Sequence, residues 1–157
     1  MSFMRFTWAF IVAIFSAANF AQTVPPGFQI DTLANLPASS AASDFCFLPN
    51  GDHRILMLGQ SGLITVYTTN AVTPATVGQI TNVLSGGEKG ALSIAADPAW
   101  PASPHIYVWY SVSPQTVMRL ARWEVSGDLA NPLSTNLALV AGSEYLILGD
   151  APNLAGN

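Results

Sequence analysis

Glu88 stands in the most unusual chemical setting of the chain. It lies in Gly86-Gly87-Glu88-Lys89-Gly90, where three glycines flank two opposite charges. Glycine takes φ above zero at no steric cost, so such a run turns tightly and lets its backbone approach a ligand. A carboxylate and an ammonium in that turn can meet a polar partner; left alone, they form a solvated pair. The other candidates read as structural. His53 sits in the turn from Asn50 to Arg54 and His105 precedes a strand, the places of solvated loop histidines. Cys46 is the sole cysteine, so it has no internal disulfide partner, and among Phe45, Phe47 and Leu48 it reads as a small core residue. Gln60-Ser61-Gly62 lacks the full nucleophile-elbow pattern, which makes Ser61 a turn residue. Asp150 opens a loop and reads as a turn former. There is no His-x-x-x-His pair, no Cys-x-x-Cys, no phosphate-binding loop and no EF-hand loop.

The elements that must position Glu88 are short strands. Asp97-Pro98 ends the small apolar run from Ala91 to Ala96, since proline cannot extend a ladder and biases its predecessor away from helix. Ile106 to Tyr110 is β-branched and aromatic, the composition of a strand packed on both faces. Upstream, Phe28 to Thr32 alternates as an opening strand, Pro37 to Ser43 is a loop, and Phe45 to Leu48 is an apolar strand closed by Pro49-Asn50-Gly51-Asp52. That tetrapeptide is a strong turn signal because Asn-Gly tolerates positive φ. Ile55 to Leu58 and Leu63 to Tyr67 follow as the next two strands of a meander, and Val77 to Val83 as a fourth. Val117 to Val125 alternates after the aromatic strand, Leu137 to Val140 closes that set, and Glu144 to Asp150 reads as one more strand. No capped helical period appears after residue 23, so the expected class is all-β.

Pro49 and Pro98 each end the first strand of a set, 49 positions apart. Units of four strands at a spacing of about 40 to 50 residues are the signature of propeller blades. A β-sandwich with strands at similar spacing is the competing architecture.

The order Gly-Glu-x-Gly, small apolar strand, Asp-Pro-x-Trp, then Ile-Tyr-Val-Trp-Tyr over Gly87 to Tyr110 resembles the soluble quinoprotein glucose/sorbosone dehydrogenase family. Pro26-Gly27-Phe28 and Phe47-Leu48-Pro49-Asn50-Gly51 extend the resemblance over about residues 25 to 125. The resemblance implies a six-bladed β-propeller using pyrroloquinoline quinone (PQQ) to oxidise a sugar hydroxyl, with calcium polarising the cofactor and an external electron acceptor. Glu88 then falls where some family members carry a glutamine near PQQ. A carboxylate there needs a cation between itself and the cofactor's own carboxylates. Asn157 falls at the residue that precedes the family's histidine base and touches the cofactor, which places the base one position beyond Asn157. No catalytic residue is therefore expected within these 157 residues. The material from 24 to 157 makes about two blades, fewer than the four to eight that typically close a ring. The expectation is an inactive N-terminal fragment of a longer enzyme. The rival within the same fold is a non-enzymatic secreted propeller that binds carbohydrate or protein; a free-standing β-sandwich adhesion domain is a third reading.

Composition sets the surroundings. Half of the residues are hydrophobic and 9% are charged, with a formal net charge of −4. That balance argues against a disordered chain, and five lysines and arginines offer no surface to track phosphates, so nucleic acid is not an expected partner. Arg5 followed by the apolar run Phe6 to Ala18 reads as a signal peptide over 1–21, cleaved after Ala18 or Ala21, too short to span a bilayer comfortably. An uncleaved N-terminal anchor is the alternative; with cleavage no stable membrane span remains. A secreted or periplasmic setting follows, and the lack of any Asn-x-Ser/Thr sequon suits a bacterial periplasm.

Overall fold

The structure, a computed structural model, describes residues 24–29, 41–69, 73–114 and 117–149. The expected signal peptide, residues 30–32 of the opening strand, Asp150 and Asn157 lie outside the described residues. The chain divides into two compact units, Met1–Asp31 and Thr32–Asn157. Within the first, the described stretch is a turn at Pro26-Gly27, closed by the Phe28 N–H donating to Pro25 O at 3.1 Å.

The second unit is built from nine described strands in two antiparallel sheets. Sheet one is a meander of β1 (Ala42–Phe47), β2 (Ile55–Gly59), β3 (Leu63–Tyr67) and β4 (Ala75–Gln79) in that spatial order. Sheet two runs β5 (Ala91–Ala96), β6 (His105–Val112), β7 (Val117–Gly127) and β8 (Leu137–Leu139), with β9 (Tyr145–Gly149) also on β7. Alternation explains the strands: Leu56, Leu58, Ile64 and Val66 are fully buried while Met57 and Thr65 between them are not. The same period buries Ile94, Ile106, Val108 and Ala121 in sheet two, and both sets belong to one apolar cluster. The two sheets therefore share a core, each buried Leu, Ile or Val contributing about 1.5–3 kcal/mol.

Two strands differ from the sequence reading. The fourth strand ends at Gln79 rather than Val83, because the Ile80 N–H turns back to Gly62 O at 3.0 Å and Asn82 takes a φ of 61°. Val83 bridges instead to Val112 of sheet two. Leu137–Leu139 is not the last strand of its sheet. β7 is eleven residues long, and its edge carries β8 opposite Val125–Gly127 and then β9 opposite Arg119–Arg122.

The sheets are also tied by polar groups. The Arg54 side chain is fully buried and all five of its N–H donors are used. Nε and one terminal nitrogen donate to Asp52 at 2.6 Å each, and the other bonds reach the carbonyls of Asp128, Leu129 and Ser134 at 3.0–3.1 Å. Trp100 Nε1 donates to the same Asp52 carboxylate at 2.8 Å. Burial would raise the Asp52 carboxyl, but the bonds from Arg54 and Trp100 hold it below its usual value. Beside this network Asn50 donates to Pro98 O at 2.8 Å and Trp100 O at 2.6 Å. At the outer strands, Gly78 leaves room for Leu139, whose side chain would lie 2.7–3.0 Å from a Cβ on that glycine.

Candidate functional site

The connection from β4 to β5 carries Glu88 at the tip of a closed turn. Gly86 N–H donates to Lys89 O at 3.3 Å and Lys89 N–H returns to Gly86 O at 3.1 Å. Gly86, Gly87 and Gly90 have φ values of 129°, 59° and 148°, conformations that other residues rarely adopt. The turn does not stand alone. Gln60, in the β2–β3 turn, donates from Nε2 to Gly87 O at 2.7 Å and to Lys89 O at 2.9 Å. Its own carbonyl accepts from Ala91 N–H at 2.9 Å, and Ser111 N–H donates to Gly90 O at 2.8 Å. A Cβ on Gly90 would sit 2.5–2.6 Å from Gln60, so only glycine allows this approach. Glu88 and Lys89 are both exposed at the end of this fixed platform.

The meander separates the remaining candidates from Glu88. His53 and His105 lie in or next to the β1–β2 and β5–β6 connections. Those connections are at the strand ends opposite the β2–β3 and β4–β5 turns, because consecutive antiparallel strands alternate direction. His53 is exposed with a φ of 59°, and His105 Nδ1 is 2.8 Å from Ser103 Oγ. Ser61 is an exposed turn residue whose carbonyl accepts from Gln79 at 2.7 Å. Cys46 is partly buried against the core, and burial, with Asp44 nearby, pushes its thiol up to about 11. Such a thiol is a poor nucleophile at neutral pH. Asn157 lies outside the described residues.

Whether the turn suits an anionic quinone cofactor can be judged from its charges. The Glu88 carboxylate repels the cofactor's carboxylates, while Lys89 next to it and the glycine-lined backbone supply the complementary charge and close approach. The two charges cancel, and what the turn offers a polar ligand is the open backbone at Gly86 and Gly87, where an added Cβ would meet nothing within 4 Å. Among the described residues no group of three or more His, Cys, Asp and Glu side chains could hold a metal ion. No described helix is long and apolar enough to cross a membrane. Gln60 is the site residue that sequence reading missed. Its residue type and its place before Ser61-Gly62 give no sign that it reaches Gly87 and Lys89, nearly thirty positions downstream.

Two face-to-face antiparallel meanders, with a glycine-rich connection at one end, define about two blades of a β-propeller. Solved structures bear this out. The chain is similar to an oxidoreductase (glucose dehydrogenase) from Thermus thermophilus, at 20% identity and a TM-score of 0.54, over 73% of this chain and 30% of that one. It is similar also to the PQQ-bound form of aldose sugar dehydrogenase from Streptomyces coelicolor, at 19% identity and a TM-score of 0.57, over 78% of this chain and 34% of that one. The chain thus spans about a third of the length of these structures, and at this identity the likeness is one of fold. No protein-family model and no curated protein matches the sequence.

Proposed function

We propose that this chain is the opening part of an exported PQQ-dependent sugar (aldose) dehydrogenase-like oxidoreductase, a six-bladed propeller when whole. The observation that carries the reading is the fold shared with a PQQ-bound aldose sugar dehydrogenase, joined to a Gly-Glu-Lys-Gly turn that a neighbouring strand connection holds rigid. PQQ would supply the acceptor for the hydride of the sugar C1. In this chain Lys89 would balance the cofactor's negative charge, the glycines would let the backbone come close, and Glu88 and Asn157 would be the cofactor-binding residues. The histidine that accepts the sugar hydroxyl proton follows Asn157 in the longer protein. Calcium, when bound, would polarise the cofactor, and electrons would leave to an external acceptor.

Exposed apolar side chains support the assignment to a longer ring. Phe45 and Phe47 on β1 are 57% and 60% exposed and pack edge to face on each other, while Tyr145 and Leu148 on β9 are 60% and 55% exposed. Apolar groups this prominent on sheet surfaces are ordinarily covered by a neighbouring sheet.

The test is to extend the reading frame past Asn157, load the product with PQQ and calcium, and follow dye reduction by aldoses. Activity in the extended protein and none in the 157-residue chain is the expected result. An extended protein that neither binds PQQ nor reduces dye would overturn the enzyme reading in favour of a binding propeller.

A further inference from the structure

Asn50 is the sole asparagine of the chain that is followed by glycine. The amide carbon of an asparagine can be attacked by the backbone nitrogen of the next residue, and glycine, with no side chain in the way, admits that approach most easily. The pair lies in the turn after β1. Asn50 is exposed to water, and Asn50 and Gly51 take φ values of 59° and 80°. The Asp52 N–H closes the turn by donating to Pro49 O at 3.3 Å.

The fold decides whether that attack can happen. The two protons of the Asn50 side-chain amide go to Pro98 O at 2.8 Å and Trp100 O at 2.6 Å, 48 and 50 residues away in the β5–β6 connection. The amide thereby fastens a turn of sheet one to a loop of sheet two, beside the buried Trp100. Gly51 N reaches Asn50 Cγ only after the amide swings off both carbonyls and the turn backbone rotates. Closed, the fastening guards the amide; open, it delivers the amide to its neighbour.

We propose that Asn50-Gly51 is a self-modification site whose reaction records the opening of this fastening between the sheets and makes it permanent. Gly51 N gives up its proton and bonds to Asn50 Cγ, and Nδ2 takes up a proton and leaves as ammonia. Water then opens the resulting cyclic imide at one of its two carbonyls. One opening yields aspartate; the other yields isoaspartate, whose main chain runs through the side-chain carbon and is longer by one atom. Neither product restores the fastening. Aspartate offers only acceptors to the Pro98 and Trp100 carbonyls, which are acceptors themselves. Isoaspartate lengthens a turn whose ends are pinned by the Leu48 N–H donating to Arg54 O at 2.8 Å. The reaction uses neither quinone nor sugar, so it stands or falls separately from the dehydrogenase reading.

The experiment ages the 157-residue chain at mildly alkaline pH, in buffer and in parallel in concentrated urea. Isoaspartate is counted with a protein isoaspartate methyltransferase, and the modified residue is located by peptide mass mapping. In urea Asn50 should react before any other asparagine, and in the folded chain it should react at least about ten-fold more slowly, as a site that is reached only through local opening. Chain aged in urea and returned to buffer should unfold at a lower urea midpoint than fresh chain. Chain held in urea at pH 5 for the same time, where the backbone nitrogen keeps its proton, should retain its midpoint. Three results would overturn the proposal: equal rates in the folded and unfolded chain, first reaction at another asparagine, or an unchanged midpoint in chain that carries the modified Asn50.

Discussion

The Asp44 carboxylate accepts a hydrogen bond from the Ser93 hydroxyl at 2.8 Å, and these residues are 49 positions apart, the same interval as Pro49 and Pro98. The same oxygen accepts the Ile94 N–H at 2.9 Å. Asp44 is on β1 and Ser93 on β5, the first strands of their sheets, so the repeat places equivalent positions side by side and bonds them. Burial raises the Asp44 carboxyl, and the bonds from Ile94 and Ser93 outweigh that and hold it low.

A double-mutant cycle on Asp44→Ala and Ser93→Ala measures this tie between sheets. Denaturant unfolding should give a coupling of about 1 kcal/mol, the value for a partly exposed hydrogen bond to a charged group. Strictly additive losses would mean that the two side chains do not interact in solution.

Asp52 and Arg54 should be far more costly to separate. Asp52→Ala leaves a fully buried guanidinium without its counter-charge, and removing one partner of such a pair costs about 3–5 kcal/mol. Asp52→Asn restores the shape without the charge and should recover only part of the loss. The pH dependence has a definite sign. The folded Asp52 carboxyl lies below its ordinary value of 3.8, so its stabilisation is complete above that value and is lost as the pH falls below it. Stability measured from pH 6 downward should therefore drop less steeply in Asp52→Asn than in the natural chain.

The Glu88 turn can be loosened in two ways that read differently. Gly90→Ala forces a Cβ into Gln60 and a φ of 148° onto alanine, and should destabilise by about 1–3 kcal/mol. Gln60→Ala removes only the clamp on Gly87 and Lys89. Its thermal midpoint should shift little while amide exchange in the 86–89 turn speeds up. Unchanged exchange would show that the turn holds its shape without Gln60.

Cys46 reports on the shared core. With its thiol pushed up to about 11, it should resist alkylation by iodoacetamide at pH 8 in the folded chain and react readily in denaturant. Fast labelling of the native chain would place Cys46 in solvent rather than against the core.

Residue alternation and turn chemistry determined much of this protein by themselves. Leu63–Tyr67 and Ala91–Ala96 fall where a period of two and a following Gly or Asp-Pro place them, since strand burial depends on near neighbours in sequence. The Gly86–Gly90 turn was legible for the same local reason: glycines at positive φ announce themselves. Arg54 was not legible, because a charged residue after an Asn-Gly turn reads as solvated. Only the folded chain brings Asp52, Trp100 and the carbonyls of Asp128, Leu129 and Ser134 around it, at separations of up to 80 residues. Gln60 belongs to the same kind. Each depends on which sheet faces which and at what height, and that is settled by long-range packing rather than by any residue's immediate neighbours.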